Sequence, residues 1–132
     1  MKVKYKNLLF YWFPVFFYCL FIYIQSSCPS ICPNNEFPHF DKLCHITAYA
    51  VLGGLIYRAL RLFQPRYNLM LLIICSIFLS GFYGIIDEFH QSFVSYRVSD
   101  FWDVLADIIG SICGVLLYQV FVAVRELGLR RV

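Results

Sequence analysis

The stretch LMLLIICSIFLSGFYGIID, residues 69–87, decides the fold of this chain. Its first 18 residues carry no charged side chain, and Asp87 is the first acid that follows. A helix needs about 17–25 apolar residues to cross the hydrocarbon core of a bilayer. The stretch therefore predicts a transmembrane helix over residues 69–86, with the segments before and after it on opposite faces of the membrane.

Three further apolar runs of similar length flank this stretch, at residues 8–24, 43–62 and 101–124. The chain is 61% hydrophobic and only 14% charged, whereas soluble domains average about 25% charged residues. A water-soluble fold would thus have too few charges to cover its surface. We predict an all-α membrane protein, a bundle of four transmembrane helices that forms one domain over residues 1–132.

The basic residues indicate which way the helices run. Nine of the 11 lysines and arginines fall before the first run, around the connection between the second and third, or after the fourth. Basic residues at helix ends mark the cytoplasmic side, so both termini are predicted to be cytoplasmic. The opposite face then receives most acidic residues, namely Glu36, Asp41, Asp87, Glu88, Asp100, Asp103 and Asp107.

This arrangement predicts a multi-pass protein of the cytoplasmic membrane, in contact with the lipid bilayer and without a nucleic-acid partner. Cys28, Cys32 and Cys44 lie on the predicted outer side, where a disulfide among them is one alternative and unpaired thiols are the other. No second closely spaced Cys or His pair follows, so the spacing does not predict a zinc site. We expect no metal and no cofactor.

Small residues indicate where the helices approach one another closely. Gly110 and Gly114 have GxxxG spacing on the fourth helix, and Gly53 on the second supplies a complementary flat surface. In lipid, helix association depends on such close packing. The spacing favours packing within one chain over a homodimer contact, and it leaves the oligomeric state open.

Polar residues from three predicted helices fall on the acidic face. Residues four apart share one face of a helix, which places Asp41, His45 and Tyr49 together, Asp87 beside Gln91, and Asp103 beside Asp107. The predicted topology brings these groups together, and the candidate functional cluster is Asp41, Lys42, His45, Tyr49, Asp87, Glu88, Gln91, Arg97, Asp103 and Asp107.

Asp107 carries the strongest energetic argument for function. It lies about 9 Å along the fourth helix at 1.5 Å per residue. A carboxylate at membrane depth costs up to about 2.5–3.5 kcal/mol and is functional by default. We therefore expect Asp107 to face the bundle and to be paired or protonated, with His45 and Arg97 as its available partners.

Three motifs in this order resemble those of the VanZ-like family of small bacterial membrane proteins, over about residues 20–120. They are Asp41-Lys42 with His45, Tyr49 and Leu52-Gly53; then Asp87-Glu88 with Gln91 and Arg97; and then Asp103 and Asp107 with Gly110 and Gly114. Ser95-Tyr96 stands where the family pattern has a Pro-Gly turn, which puts the conformation of that loop in question. The resemblance implies a cell-envelope setting and an association with teicoplanin-type glycopeptide tolerance, but no defined reaction.

Three hypotheses remain for function. The first is a protein that binds a lipid-linked or cell-wall-related ligand at the outer polar site. The second is a membrane-embedded hydrolase or transferase acting on a lipid headgroup, in which Asp87, Glu88 or Asp107 perform acid–base roles or together hold a divalent ion. The third is a structural subunit whose polar cluster only locks the helix ends together.

Overall fold

The computed structural model of the chain describes residues 2–29, 40–64, 66–95 and 97–129. Four helices occupy almost all of these residues: α1 (Lys2–Ser26), α2 (Phe40–Phe63), α3 (Leu69–Gln91) and α4 (Phe101–Leu129). All four are long and apolar enough to cross a membrane, which confirms the predicted fold class. On which side of the membrane the termini lie stays a prediction.

Each helix extends beyond the bounds predicted from hydropathy, because polar residues continue the helices past their apolar runs. α3 continues through the acidic turn to Gln91, and α2 begins at Phe40. Asp41 therefore lies in the first turn of α2 rather than capping it. An acid in the first turn of a helix interacts favourably with the helix dipole.

The bundle is built on the packing of α4 against α2, which is the most extensive helix contact. α3 packs against both of these helices, and α1 lies against α2 with only a slight contact to α3. Many large apolar side chains on the outside of the bundle are exposed, including Phe13, Phe78 and Phe121. Such side chains suit contact with lipid.

Glycines allow the close approach of α2 and α4. A Cβ atom at Gly110 would overlap the backbone of Ile46, and one at Gly114 would overlap the backbone of Ala50. A Cβ atom at Gly53 would lie 2.7 Å from the carbonyl oxygen of Ser111. The GxxxG spacing thus serves packing within the chain.

Hydrogen bonds also join α2 to α4 near the C-terminal ends of these two helices. Tyr57 donates a hydrogen bond to Gln119, and Arg61 donates to Gln119 at 3.1 Å and to Glu126 at 2.8 Å. The helix pair is therefore held by hydrogen bonds at this end, by glycine contacts in the middle and by the polar residues at the opposite end.

Candidate functional site

The end of the bundle where α1 and α3 finish and α2 and α4 begin, here called the acidic end, holds an unusual set of buried side chains. Soluble proteins and membrane proteins alike seldom bury charged groups unless these are paired or functional. At the acidic end the buried ionisable and amide side chains are His45, Asp87, Glu88, Gln91, Asp103 and Asp107. Three helices contribute to this set, as the spacing of the motifs predicts.

His45 and Asp107 form the centre of this set. Nδ1 of His45 and Oδ1 of Asp107 share a hydrogen bond of 2.8 Å, and Asp107 has no exposed surface. Nε2 of His45 faces Oε1 of Glu88 at 3.9 Å, which is too long for a hydrogen bond. An imidazole held in this way on one nitrogen has its other nitrogen available to accept a proton or to bind a ligand.

Gly84 makes room for the carboxylate of Asp107. A Cβ atom at position 84 would lie 2.7 Å from Oδ2 of Asp107 and 2.9 Å from its Cβ. The carboxylate therefore sits directly against the backbone of α3. The position of Asp107 in the site therefore depends on how closely α3 packs against α4.

Lys42 neutralises the acids at the start of α4. Its ammonium group donates to Asp103 at 2.7 Å and to Asp100 at 3.0 Å. Oδ1 of Asp100 also accepts a hydrogen bond from the backbone N–H of Trp102 at 3.0 Å. That bond, followed by the contact with Lys42, holds the pKa of Asp100 below its usual range.

The candidate set predicted from sequence did not include Asp100. A local signal could have identified it, since Asp is a preferred residue immediately before the first turn of a helix. Asp100 precedes α4 and accepts from the second residue of that helix. Its own backbone N–H donates to Oε2 of Glu88 at 3.2 Å, so it also fixes one oxygen of that carboxylate.

Asp87 and Gln91 share one face of α3, as their spacing predicts. The side-chain amide of Gln91 donates to Oδ2 of Asp87 at 3.0 Å. His90 lies on a different face, where Nε2 approaches Oγ of Ser27 at 3.0 Å and the ring packs against Tyr23. His90 therefore contacts α1 and the residue after it, apart from the cluster around His45.

Arg97 does not pair with Asp107. Of the two partners expected for Asp107, His45 forms the contact. The guanidinium donates to the backbone carbonyls of Gln25 and Cys28, at 3.2 Å in each case, and lies 3.9 Å from Asp41. The last carbonyl groups of a helix have no partner within the helix and are therefore open to donors from elsewhere. Arg97 therefore binds backbone carbonyls at the end of α1 and just beyond it.

A pocket at the acidic end runs between α1 and α2 to the buried side chains. One part of its wall is apolar and includes Ile22, Phe40 and Ala48. The remainder is polar and includes His45, Tyr49, Asp87, Gln91 and Arg97. The hydroxyl of Tyr49 is buried and has no hydrogen-bond partner among the described residues.

α1 has a larger role in this pocket than its sequence indicates. The candidate cluster predicted from sequence contains no residue of this helix, yet Ile22, Gln25 and Ser26 line the pocket. No sequence signal marks them, because they contribute through their position beside α2. Glu36, Cys32 and Tyr96 lie outside the described residues, so the alternatives for the outer cysteines and for the Ser95-Tyr96 loop stay open.

The chain is 31% identical over 94 residues to a protein described as "Uncharacterized protein C11E3.10" from Schizosaccharomyces pombe. That alignment covers 71% of this chain and 56% of the relative, so the chain spans little more than half the length of the protein it matches. No solved structure shows a significant match.

The family comparison covers nearly all of the chain. The profile of the VanZ/LLP1 family matches residues 3–122, which include most of each of the four helices and every residue of the candidate site. With its four membrane-spanning helices and this match, the chain is a multi-pass membrane protein that belongs to the VanZ/LLP1 family.

Proposed function

We propose that this protein binds a lipid-linked, cell-wall-related ligand of the bacterial envelope at the acidic end of its bundle, on the extracytoplasmic side of the membrane. The observation that carries the proposal is the pocket at the acidic end, which is lined by both apolar and polar side chains. A lipid-linked molecule has an apolar and a polar part as well. Its hydrocarbon chain would contact the apolar lining residues and its headgroup the polar ones.

The polar lining of the pocket offers contacts of the kind that a headgroup needs. The unpartnered hydroxyl of Tyr49 and the side chains of Asp87 and Gln91 provide hydrogen-bond donors and acceptors for sugar hydroxyls. Arg97, on the pocket wall, has the planar guanidinium that suits a phosphate group. Binding of a ligand would give the buried hydroxyl of Tyr49 a partner.

Direct measurement of lipid binding tests this proposal. The full chain, purified in detergent and delipidated, would be mixed with a polyprenyl phosphate, the corresponding polyprenyl alcohol or phosphatidylglycerol, and examined by native mass spectrometry. We expect retention of the polyprenyl phosphate. Arg97→Gln should weaken that retention about tenfold, the effect of roughly 1.4 kcal/mol of binding free energy.

Arg125→Gln provides the matched control, since Arg125 is exposed on α4 near the opposite end of the bundle. Equal retention of all three lipids by the wild type and by both variants would contradict the proposal. A strain lacking the gene gives a second test, through its susceptibility to teicoplanin and other envelope-active compounds. Complementation should fail with Asp107→Ala if the site serves that phenotype.

One observation favours a second candidate, a hydrolase or transferase that acts on the headgroup. His45 is oriented by Asp107 through the 2.8 Å contact, and its Nε2 lies on the side of Glu88. A histidine held by a carboxylate can act as a general base. Release of the headgroup from a polyprenyl-linked substrate by purified protein, and its loss in His45→Gln, would support this candidate over simple binding.

A further inference from the structure

The side chains of His45, Glu88 and Asp107, here called the buried trio, form a compact set of possible metal ligands. One ligand atom from each residue lies within 4.8 Å of the others. Around an ion such as Zn²⁺, with bonds of about 2.0–2.2 Å, neighbouring ligand atoms are about 3.0–3.6 Å apart. To bind such an ion, ligand atoms that are as much as 4.8 Å apart would have to approach one another by about 1–2 Å.

Two carboxylate oxygens in the buried trio lack partners. Oε1 of Glu88 and Oδ2 of Asp107 are fully buried and accept no hydrogen bond from any described residue. The exposed fraction of each residue is 3% or less. A buried acceptor without a partner costs free energy, and native proteins seldom leave one without a structural or functional reason.

The charges at this position are also unbalanced. Lys42 is already bound to Asp100 and Asp103. Among the described residues, the basic side chain that remains beside Glu88 and Asp107 is that of His45. A divalent cation with two carboxylates and a neutral imidazole has a net charge of zero, which removes the cost of two buried negative charges.

We propose that the buried trio binds one divalent transition-metal ion of the Zn²⁺ or Mn²⁺ type. An imidazole nitrogen suits Zn²⁺ and related ions, and carboxylate oxygens suit Mn²⁺. Ca²⁺ fits poorly, since it takes six to eight oxygen ligands. From the sequence we expected no metal, and a divalent ion held by Asp87, Glu88 or Asp107 entered only with the second hypothesis. The buried trio differs from that set because it includes His45, so its ligands come from three separate helices.

A second grouping, Asp41, His45 and Asp103, also brings possible ligand atoms within 4.8 Å of one another. It is the weaker candidate. Asp103 is already bound by Lys42 at 2.7 Å, and the side chain of Asp41 is 51% exposed. The charge balance and the unpartnered oxygens both favour the buried trio.

Metal binding can be measured without any lipid, so this proposal stands or fails independently of the proposed ligand. The full chain would be purified in detergent, stripped with EDTA and titrated separately with Zn²⁺ and Mn²⁺. Bound metal would be quantified by mass spectrometry after desalting, and thermal unfolding would be followed in parallel. We expect about one ion per chain and a higher unfolding temperature for at least one of the two metals, as follows from preferential binding to the folded state.

Glu88→Gln is the decisive variant because it preserves the size of the side chain. It should lower metal affinity at least tenfold, and in the stripped protein it should not lower the unfolding temperature, since the amide oxygen can still accept from the backbone N–H of Asp100 and a neutral side chain replaces a buried acid. Glu126→Gln is the matched control at the opposite end of the bundle and should bind metal like the wild type. Less than one-tenth of an equivalent of either metal in the wild type would overturn the proposal, as would unchanged affinity in Glu88→Gln.

Discussion

Replacement of Gly84 by alanine tests whether helix packing sets the geometry of the candidate site. The new methyl group would lie 2.7 Å from Oδ2 and 2.9 Å from Cβ of Asp107. The optimal separation of two non-bonded carbon atoms is about 3.5–4.0 Å. The contact with Cβ cannot be relieved by rotating the carboxylate. α3 must therefore move away from α4, or Asp107 must move with its backbone.

Overpacking of this kind costs about 1–3 kcal/mol. In a chain of this size each kcal/mol corresponds to about 3–6 °C in unfolding temperature. We therefore expect Gly84→Ala to unfold at least about 3 °C below the wild type in detergent. Because the displaced group is Asp107, the 2.8 Å contact with His45 should also be disturbed, and retention of polyprenyl phosphate should fall.

Gly81→Ala is the matched control on the same helix, three residues earlier. There the new methyl group would meet only Cγ1 of Ile108, at 3.3 Å, a side-chain atom that can shift. Gly81→Ala should therefore stay close to the wild type in both measurements. If the two variants unfold at the same temperature and retain equal amounts of lipid, the reasoning that ties packing at Gly84 to the site is wrong.

Two further predictions concern the helix contacts. Gly114→Ala should lower the unfolding temperature by about 3 °C or more, since a methyl group there overlaps the backbone of Ala50. Gly128→Ala is the control and should not lower the unfolding temperature, because a methyl group there has no neighbour within 4 Å. Equal effects of the two substitutions would contradict the packing account. Ser80→Ala should cost about 0.6 kcal/mol, the average for a hydrogen bond between membrane helices, because Oγ of Ser111 donates to Ser80 at 2.8 Å. Ser76→Ala, which removes only a bond within α3, should cost less by the same thermal measurement, and the reverse order would refute this account.

Several residues of the site were identifiable from the sequence because they have a local signal. His45 and Asp107 are ionisable groups within apolar runs, and Asp87 and Gln91 are four residues apart. Such signals depend only on helix periodicity and on the cost of charge in lipid. The pairing of Asp107 was left open between His45 and Arg97, since both lie toward the same end of the bundle.

Which residue pairs with Asp107 depends on the rotation of each helix about its own axis. Periodicity within a single helix does not give that rotation. In the structure Arg97 turns away to the end of α1, and Asp107 faces α2 and the backbone of Gly84. The sequence likewise contains no local signal that Ile22 and Gln25 close the pocket. These residues acquire that role only because α1 packs beside α2.

By itself, then, the sequence determined that this chain forms four membrane-spanning helices and most of the polar residues that meet at one end. Both follow from local quantities, namely the length of apolar runs, the 3.6-residue period and the cost of placing charge in lipid. Tertiary structure decided the His45–Asp107 contact, the unpartnered oxygens of Glu88 and Asp107, and the pocket beside α1. These depend on distances between helices, which the glycine contacts set through the packing of whole helix surfaces.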